Sequence, residues 1–537
     1  MSNQFFRFDS PRTSSVVAVL ASLAALSVAV SPLACQEPTT RARTAYQDLQ
    51  MFSQVLNQIR VNHPDSIDTH RLIMGAIEGM VRTADPHSYV LPYYRLPADL
   101  QEARDNEDLY PIPIEFAYQS GAPFVVSVHP GSKASELDIL PGDELLAADG
   151  EKLAAESAPE LTMVLSGRKN STVALSLKRR RWDGSTVMLE REVRREKIEE
   201  SSSVGASLML DGQTGYLRLL HFGNEDLLGE LREHISSLES AGMQGLVLDL
   251  RDNGGGLIEV AGRVAGEFLP RGEIVYTSEG RKSDVADTVR ARSSSRSVGT
   301  EVPVVVLVNR GTASAAELVA GALQDHDRAL IVGEPTFGKS AILRSFPMTD
   351  GSVIVLVIGH LKTPCGRVVQ RRYQDVRASD YFREAGTVVD TAGRPYCKTR
   401  SGRVVYGGGG IYPDHLFESS DSELPNWLSE LSERQLAVQW LGGYLSDTTF
   451  TFSSPEAMAE TPLPDNVVDN FFGFASESGV SVPPEERDVV AELLLLRVAW
   501  ALWGAQGYYT IAAKHDPRVE AAAAQLEEAR RLLEGSH

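Results

Sequence analysis

The chain has 537 residues, which is enough for about three to four domains. Hydrophobic residues make up 42% and charged residues 23%, a globular balance that excludes wholesale disorder. Lys and Arg number 52 against 72 Asp and Glu, and the net charge of −20 repels nucleic acid and anionic lipid, which argues against a polyanion partner. Three cysteines are too few for a disulfide scaffold.

The first 34 residues have the order of an export signal. A polar segment with two arginines precedes an uninterrupted apolar run at residues 16–30, which is shorter than the ~20 residues of a membrane-spanning helix. A signal peptide is therefore predicted at residues 1–34, with a retained anchor as the alternative. Cys35 follows a small residue just after the apolar run, as at a bacterial lipoprotein processing site. A lipid on Cys35 would tether the protein to a membrane, and this alternative stays open.

Four further regions follow in chain order. Helical periodicity on both sides of a turn at residues 62–65 predicts an N-terminal helical region at 41–105. Residues 106–200 change to short β-like runs bounded by Gly and Pro turns. Strands and helices then alternate over residues 201–420, which predicts an α/β layer. Residues 421–537 become helical again and carry no recognisable motif.

Within these regions, several elements have clear patterns. Helices are predicted at residues 258–268 and 315–323, and a buried strand at 304–308. The final helix is predicted at residues 521–533, where the pattern is amphipathic. An oxidising compartment would permit a disulfide between Cys365 and Cys397, although spacing alone does not establish it.

The β-rich region resembles a PDZ domain. Its turns at residues 130–135 and 141–145, with the letters Pro-Gly-Ser and Pro-Gly-Asp, have the spacing of that domain. The resemblance implies that a peptide C terminus is captured as an added strand at a sheet edge. PDZ domains carry a Gly-rich loop at this position, which binds the terminal carboxylate. This chain instead has a proline followed by Ile112, Pro113 and Ile114, and the two prolines remove two N–H donors. These three are the candidate peptide-binding residues; the alternative is a β module that only packs.

Residues 308–317 carry the first chemical signal. Ser314 and Glu317 have the Ser-x-x-Glu spacing of a capping box at a helix start. A serine behind the tight turn at Gly311 is also exposed at a strand end, where converging backbone N–H groups can hold an oxyanion. The two interpretations are compatible.

Residues 333–340 carry the second signal, because they match the phosphate-loop pattern Gly-x-x-x-x-Gly-Lys-Ser. A nucleotide hydrolase is therefore one alternative, but that loop must open a helix, and the chain after Lys339 has the pattern of a β hairpin. Lys339 is instead a candidate general base for Ser314, provided that burial lowers the pKa of its ammonium group. No histidine is placed as a better base, and no zinc motif or serine elbow is present, so no metal or cofactor is expected.

Several motifs in one order resemble the C-terminal processing (tail-specific) serine peptidases over about residues 46–414. From the N terminus they are residues 84–88, the PDZ-like region, and residues 249–256, 311–317, 324–326 and 333–339. The resemblance implies that Ser314 is the nucleophile and Lys339 its base. It also implies that the N–H groups of Ala315 and Gly256 form the oxyanion hole.

Two further positions qualify this resemblance. Asp325 matches an acidic position of the family, but helix rise places it about 16 Å from Ser314, so a structural role at the helix end is expected. Four residues after Lys339, many family members carry a Gln that steadies the lysine, and here Leu343 stands. This departure favours a second hypothesis, a catalytically impaired peptide-binding scaffold on the same fold.

The predicted fold is multidomain α/β, with a βα-repeat peptidase core, an inserted β-rich PDZ-like domain, and helical N- and C-terminal regions. The predicted function is an exported serine endopeptidase of the bacterial periplasm or cell envelope that cleaves polypeptides near exposed C-terminal tails. The PDZ-like domain would recruit these tails and gate their access to the site. The expected partners are protein or peptide substrates with exposed C termini, without nucleic acid or a cofactor, and the sequence leaves the oligomeric state open.

Overall fold

The computed structural model describes residues 44–91, 108–119, 122–153, 155, 158–198, 202–292, 301–374, 376–385, 391–417, 425–447 and 452–535. The predicted signal peptide and Cys35 lie outside these residues. The chain divides into two compact units, Met1–Met74 and Gly75–His537. In the described ranges, no helix combines the length and apolar character that a bilayer crossing needs.

The first unit contains helix α1 (Ala45–Asn62) and the start of α2 (Thr69–Ala84), which continues into the second unit. At the start of α1, the Thr44 N–H donates to Gln47 Oε1 at 3.1 Å, one half of a capping box. The predicted pair of helices on either side of the 62–65 turn is confirmed. After α2 the chain enters strand β1 (Tyr89–Leu91).

Residues 108–198 form a β-rich segment with one short α-helix. Its elements are β2 (Leu109–Tyr110), β3 (Ile114–Gln119), β4 (Ala122–Val128), β5 (Glu144–Ala148), β6 (Glu151–Lys152), α3 (Ala158–Leu165), β7 (Gly167–Arg168), β8 (Thr172–Arg180) and β9 (Thr186–Arg194). The main sheet is antiparallel with the order β3-β4-β5-β8-β9, and β6 pairs with β5. Buried Leu145, Leu161 and Leu175 belong to its core.

Residues 202–417 form the α/β core that the alternating pattern predicts. Its elements are β10 (Val204–Met209), β11 (Thr214–Leu219), α4 (Leu227–Ser240), β12 (Gly245–Asp249), α5 (Ile258–Phe268), β13 (Ile274–Gly280), β14 (Asp287–Arg290), β15 (Val304–Val308), α6 (Ala315–Asp325), β16 (Leu330–Gly333), β17 (Ala341–Pro347), β18 (Val353–Lys362), α7 (Ala378–Arg383), β19 (Tyr396–Lys398), β20 (Val404–Tyr406) and β21 (His415–Leu416).

The central sheet of this core has the order β10-β11-β12-β15-β16-β21, and every neighbouring pair is parallel except β10 and β11. Strand β15 is a run of four valines and one leucine with all side chains buried, as a parallel strand covered on both faces requires. Helices α4, α5 and α6 contribute to the core on one face. Because β12, β15 and β16 are parallel, the loops that follow them emerge at the same edge.

A second sheet has the order β1-β18-β13-β14, and β17 pairs with β18 as an antiparallel hairpin. The loop after β18 is tied to β19 by a disulfide between Cys365 and Cys397, whose Cα atoms are 6.5 Å apart. The hairpin matters for the site because β17 begins two residues after Lys339.

The C-terminal region is helical, as expected. Its helices are α8 (Asn426–Glu433), α9 (Leu436–Asp447), α10 (Pro455–Ala459), α11 (Asp465–Glu477), α12 (Arg487–His515), α13 (Pro517–Ala523) and α14 (Leu526–Gly535), and α12 is interrupted at Gly504. Helices α8 to α12 share a hydrophobic core. Helices α13 and α14 instead cover the second face of the central sheet. The prediction of one final helix at 521–533 was wrong, because the chain turns after Ala523.

Candidate active site

Ser314 lies at the turn from strand β15 to helix α6, in a backbone conformation that is rare for serine. Its φ of 57° and ψ of −116° lie outside the favoured regions for a residue with a Cβ, and such strain is held only by strong surroundings. A strained strand-to-helix turn presents a serine side chain at the sheet edge, a geometry that is also found at nucleophilic serines of hydrolases. The capping box with Glu317 that the spacing predicts is present: the Ser314 N–H donates to Glu317 Oε2 at 2.8 Å.

The glycine turn after β12 lies against this serine. A Cβ added at Gly255 would be 2.9 Å from the Ser314 Cβ and 2.9 Å from the Ala315 nitrogen. The turn is pinned because the Phe222 N–H donates to the Gly255 carbonyl at 2.9 Å. The N–H groups of Gly256 and Ala315 donate no hydrogen bond to any residue that the structure describes. Among the described residues, two backbone donors thus lack acceptors: Ala315, which follows Ser314, and Gly256, which follows the glycine that contacts it.

Lys339 lines the same cavity as Ser314. The cavity has a volume of about 10 Å³, room for about one water molecule, and Leu361 and Val369 supply apolar lining. Burial lowers the pKa of Lys339, while the negative charge of Glu317 opposes that shift. Lys339 and the following residue lead into strand β17, so the helix that a phosphate loop must open is absent at this point of the described chain.

Glu317 holds the serine turn and the lysine loop together, and its side chain is fully buried. Besides Ser314, the N–H groups of Gly338 and Lys339 donate to this carboxylate at 2.7 and 2.8 Å, and the Thr336 hydroxyl donates at 2.5 Å. Burial raises the pKa of Glu317 to about 7, although these donors favour the ionised form. The sequence pattern predicted only the bond to Ser314, because the other three donors lie 19 to 22 residues further along the chain.

His87 is a second residue near the lysine that was not named as a site residue from the sequence, although residues 84–88 belong to the family motifs. Its buried ring shares a hydrogen bond of 2.9 Å between Nε2 and the Tyr381 hydroxyl. Gln370 donates to the same hydroxyl at 2.9 Å and accepts the Ser340 N–H at 3.1 Å. Burial, helped by the charge of Lys339, lowers the pKa of His87 to about 4, so the ring is neutral near pH 7. This chain of contacts reaches the lysine loop at Ser340, the residue after Lys339.

Asp325 and Leu343 lie apart from the cavity lining. Asp325 is the last residue of α6 and pairs with Arg367, and its Oδ2 accepts the Cys365 N–H at 2.9 Å. It thus anchors the loop after β18 and does not contact Ser314, as the helix length predicted. The sulfur atoms of Cys365 and Cys397 lie near its carboxylate, but they are bonded to each other and offer no thiolate to a metal. Leu343 pairs with Val357 in the β17–β18 hairpin.

The candidate peptide-binding residues lie together at the start of strand β3. The side chains of Ile112 and Ile114 are buried in the core of the β-rich segment. The Ile114 N–H donates to the Ile112 carbonyl at 2.9 Å, and the Pro113 carbonyl accepts the His129 N–H at 3.0 Å. The structure does not bring these residues to the cavity that Ser314 and Lys339 line.

Comparisons with known proteins show the family of this chain. The profile of peptidase family S41 matches residues 213–378, which include the serine turn and the lysine loop. The carboxy-terminal-processing protease of Bartonella bacilliformis is 30% identical over 353 residues, covering 64% of this chain and 78% of that protein. A carboxyl-terminal-processing protease of Synechocystis is 38% identical over 237 residues, covering 44% of this chain and 53% of that protein.

Among solved structures, the photosystem II D1 C-terminal processing protease is 27% identical, with 64% of this chain and 91% of that chain covered and a TM-score of 0.34. The relatives confirm the family resemblance that the ordered motifs indicated. The chain belongs to peptidase family S41, the serine endopeptidases that include the carboxy-terminal-processing proteases.

Proposed function

We propose that Ser314 and Lys339 are the catalytic dyad of an exported endopeptidase that cleaves polypeptides near exposed C-terminal tails. One observation carries the proposal: a serine in a strained turn and a lysine with a lowered pKa line one cavity. The N–H groups of Ala315 and Gly256, which have no acceptor among the described residues, support it. A buried lysine can be neutral near pH 8 and then accept a proton, which a solvated ammonium cannot do.

In the proposed reaction, neutral Lys339 takes the hydroxyl proton of Ser314 as its oxygen attacks the scissile carbonyl. The N–H groups of Gly256 and Ala315 stabilise the oxyanion that forms. The Lys339 ammonium then returns its proton to the leaving amine, and the acyl group stays on the serine. Water, deprotonated by Lys339, releases the acyl group and regenerates the serine.

The β-rich segment is proposed to recruit the substrate as a PDZ domain does. Among the described strands of its main sheet, β3 pairs only with β4, and α3 packs near it, which is the setting for an added peptide strand. Since Pro113 has no N–H and the Ile114 N–H is already bonded, a terminal carboxylate must find donors elsewhere in this groove. Delivery of the bound tail from this groove to Ser314 is the proposed gating step.

Export to the periplasm or cell envelope is supported by the N-terminal sequence and by the disulfide, which persists in oxidising compartments. A lipid anchor at Cys35 is part of this proposal and is tested by labelling with radioactive palmitate in the native host. A Cys35→Ala chain should lose the label.

The experiment for the dyad is casein cleavage by the mature protein, by Ser314→Ala and by Lys339→Ala, with the exposed Lys282→Ala as a control for loss of a lysine. The wild type and Lys282→Ala should cleave, and the two site variants should not. Activity should rise with pH through the lowered pKa of Lys339, because only its neutral form accepts the proton. Absence of cleavage by all four proteins would favour the peptide-binding scaffold, and equal cleavage by Ser314→Ala would place the nucleophile elsewhere.

A further inference from the structure

We propose that Asp516 and Arg518, at the start of helix α13, are positioning residues for both loops that carry the proposed catalytic groups. The inference rests on the proposed function of those loops. The C-terminal region carries no catalytic motif, yet its charged side chains reach the base of the glycine turn and the base of the lysine loop.

The first contact holds the glycine turn. Arg251 follows strand β12, and only 10% of its side chain is exposed. It donates to the fully buried carboxylate of Asp249 and, through Nη1, to Asp516 Oδ2 at 2.5 Å. Asp249 is already shared with Arg218, which donates to it at 2.9 Å. Arg218 also pairs with Asp252 at 3.2 Å, whereas the other carboxylate of Arg251 is Asp516. Loss of the Asp516 charge would therefore leave Arg251 with only the carboxylate that it shares with Arg218.

The same aspartate fixes the helix start. Its Oδ1 accepts the Arg518 N–H at 2.8 Å, so Asp516 is the N-cap of α13. The Asp516 carboxylate therefore accepts a hydrogen bond from each of two elements. Its Oδ2 accepts from Arg251 in the loop after β12, and its Oδ1 accepts from the N terminus of α13. Movement of Arg251 is coupled to movement of the helix.

The second contact holds the lysine loop. Glu334 directly follows strand β16, five residues before Lys339, and 8% of its side chain is exposed. Arg518 Nη1 lies 3.3 Å from Glu334 Oε1. A buried carboxylate requires a counter-charge, so Arg518 fixes the position at which the lysine loop leaves the sheet.

Helix α13 is a rigid support because its apolar side chains are buried on the sheet. Val519 and Ala522 pack with Val247, Leu307 and Val332, which lie on three adjacent strands. Two residues that are two positions apart on one docked helix therefore hold both loops. We infer that this helix sets the distance between the oxyanion donors and the lysine.

The test is steady-state cleavage of a fluorogenic peptide by the full mature chain and by Asp516→Asn. Asparagine caps a helix nearly as well as aspartate, so the substitution removes the charge and keeps the cap. The expected result is a fall in kcat of about tenfold, since small misplacements of catalytic groups cost that much or more, with KM within about twofold. The near-UV circular dichroism should stay close to that of the wild type, while the melting temperature should fall, because the buried Arg251 loses one of its two carboxylates.

Asp469→Asn is the matched control, because it breaks an ion pair with Arg487 in the same C-terminal region, at a carboxylate that is 65% exposed. It should leave kcat unchanged. Arg518→Gln tests the lysine loop separately, keeps the Asp516 cap and should also lower kcat. It replaces Asp516→Asn as the deciding variant if that protein does not fold.

The inference is overturned if kcat of the folded variants equals that of the control, or if KM alone changes. Failure of the proposed dyad is a different result, because the wild type would then be inactive or Ser314→Ala would be active.

Discussion

Two clusters of side chains, one polar and one largely aromatic, each hold two parts of this molecule together. Around Glu317, one fully buried carboxylate accepts four donors from two loops, and the bonds are 2.5 to 2.8 Å. Around Trp182, at the tip of the β8–β9 hairpin, the β-rich segment meets the C-terminal helices through aromatic rings. The Trp182 ring lies 5.6 Å from the Tyr444 ring and 6.0 Å from the Trp440 ring.

The second cluster has a buried part, the rings of Trp440 and Tyr444, and an edge that is open to water. Its ion pair, Arg180 with Glu477, is largely exposed, and a cavity of about 370 Å³ lies between the hairpin and the helices. An exposed ion pair contributes little to the stability of the contact that it forms. A buried carboxylate that accepts four hydrogen bonds has no alternative partners nearby, so it holds its donors firmly. We therefore expect the loops that carry Ser314 and Lys339 to be rigidly joined, and the β-rich segment to separate more readily from the C-terminal helices.

The largest effect is expected at the glycine turn, on the rigid side of this comparison. In Gly256→Ala, the added Cβ would lie 2.4 Å from the Phe222 carbonyl carbon, and φ is 147°. The turn must shift, and loss of one oxyanion donor costs about 10²- to 10³-fold in kcat. Gly254→Ala is the matched control, because no atom lies within 4 Å of its Cβ. Equal kcat values for the two variants would show that the turn is not rigid.

An intermediate effect is expected for Glu317→Gln, which replaces two acceptor oxygens by one oxygen and an NH₂ group. We expect kcat to fall by about tenfold or more, because buried N–H donors lose their acceptor. Glu267→Gln serves as control, since that buried carboxylate pairs with Arg232 in α4. Activity loss in the control alone would contradict the role assigned to Glu317.

The same variant gives a test by pH. Burial raises the pKa of Glu317 to about 7, while the carboxyl of an unfolded chain titrates near ~4.3. Between these values the folded state binds the proton and the unfolded state does not, so this group lowers stability as pH rises through the window. Relative to Glu317→Gln, the wild type should lose roughly 3 kcal/mol of stability between pH 4.5 and 7. Parallel melting curves against pH would show that Glu317 is ionised throughout.

The smallest effect on catalysis is expected on the separable side. Trp182→Ala removes two aromatic contacts, each worth about 0.5–1.5 kcal/mol, and should raise hydrogen exchange in the β8–β9 hairpin. Turnover of a short peptide should stay within about twofold, since Trp182 does not line the cavity of Ser314. Met188→Ala, at an exposed position of β9, is the control. A tenfold loss of short-peptide turnover would mean that the two clusters are coupled.

Local patterns predicted the core well. Helix α5 has the bounds 258–268 that its periodicity gave, and β15 has the bounds of its valine run. Ser314 and Lys339 lie in motifs at strand ends, and the structure brings both to one cavity; their catalytic roles stay a prediction. Leu343 was expected beside the lysine, but its strand carries it away from the cavity lining.

Contacts between distant segments were not predictable. Gln370 and Tyr381 have no motif, and only the fold brings them to His87. The break between α13 and α14 carries neither Gly nor Pro. The alanine run at 521–524 favours helix, and the turn there is imposed by docking on the sheet, which buries both Ala522 and Ala529.

Helices α13 and α14 are synthesised after the loops of the proposed active site. A chain made from its N terminus therefore carries the Ser314 turn and the Lys339 loop before the residues that cover Val247, Val305 and Leu307 have emerged. Until then one face of the central sheet is bare. We expect a nascent chain that contains Ser314 and Lys339 but still lacks helices α13 and α14 to be inactive, so that the cell is not exposed to protease activity before synthesis ends.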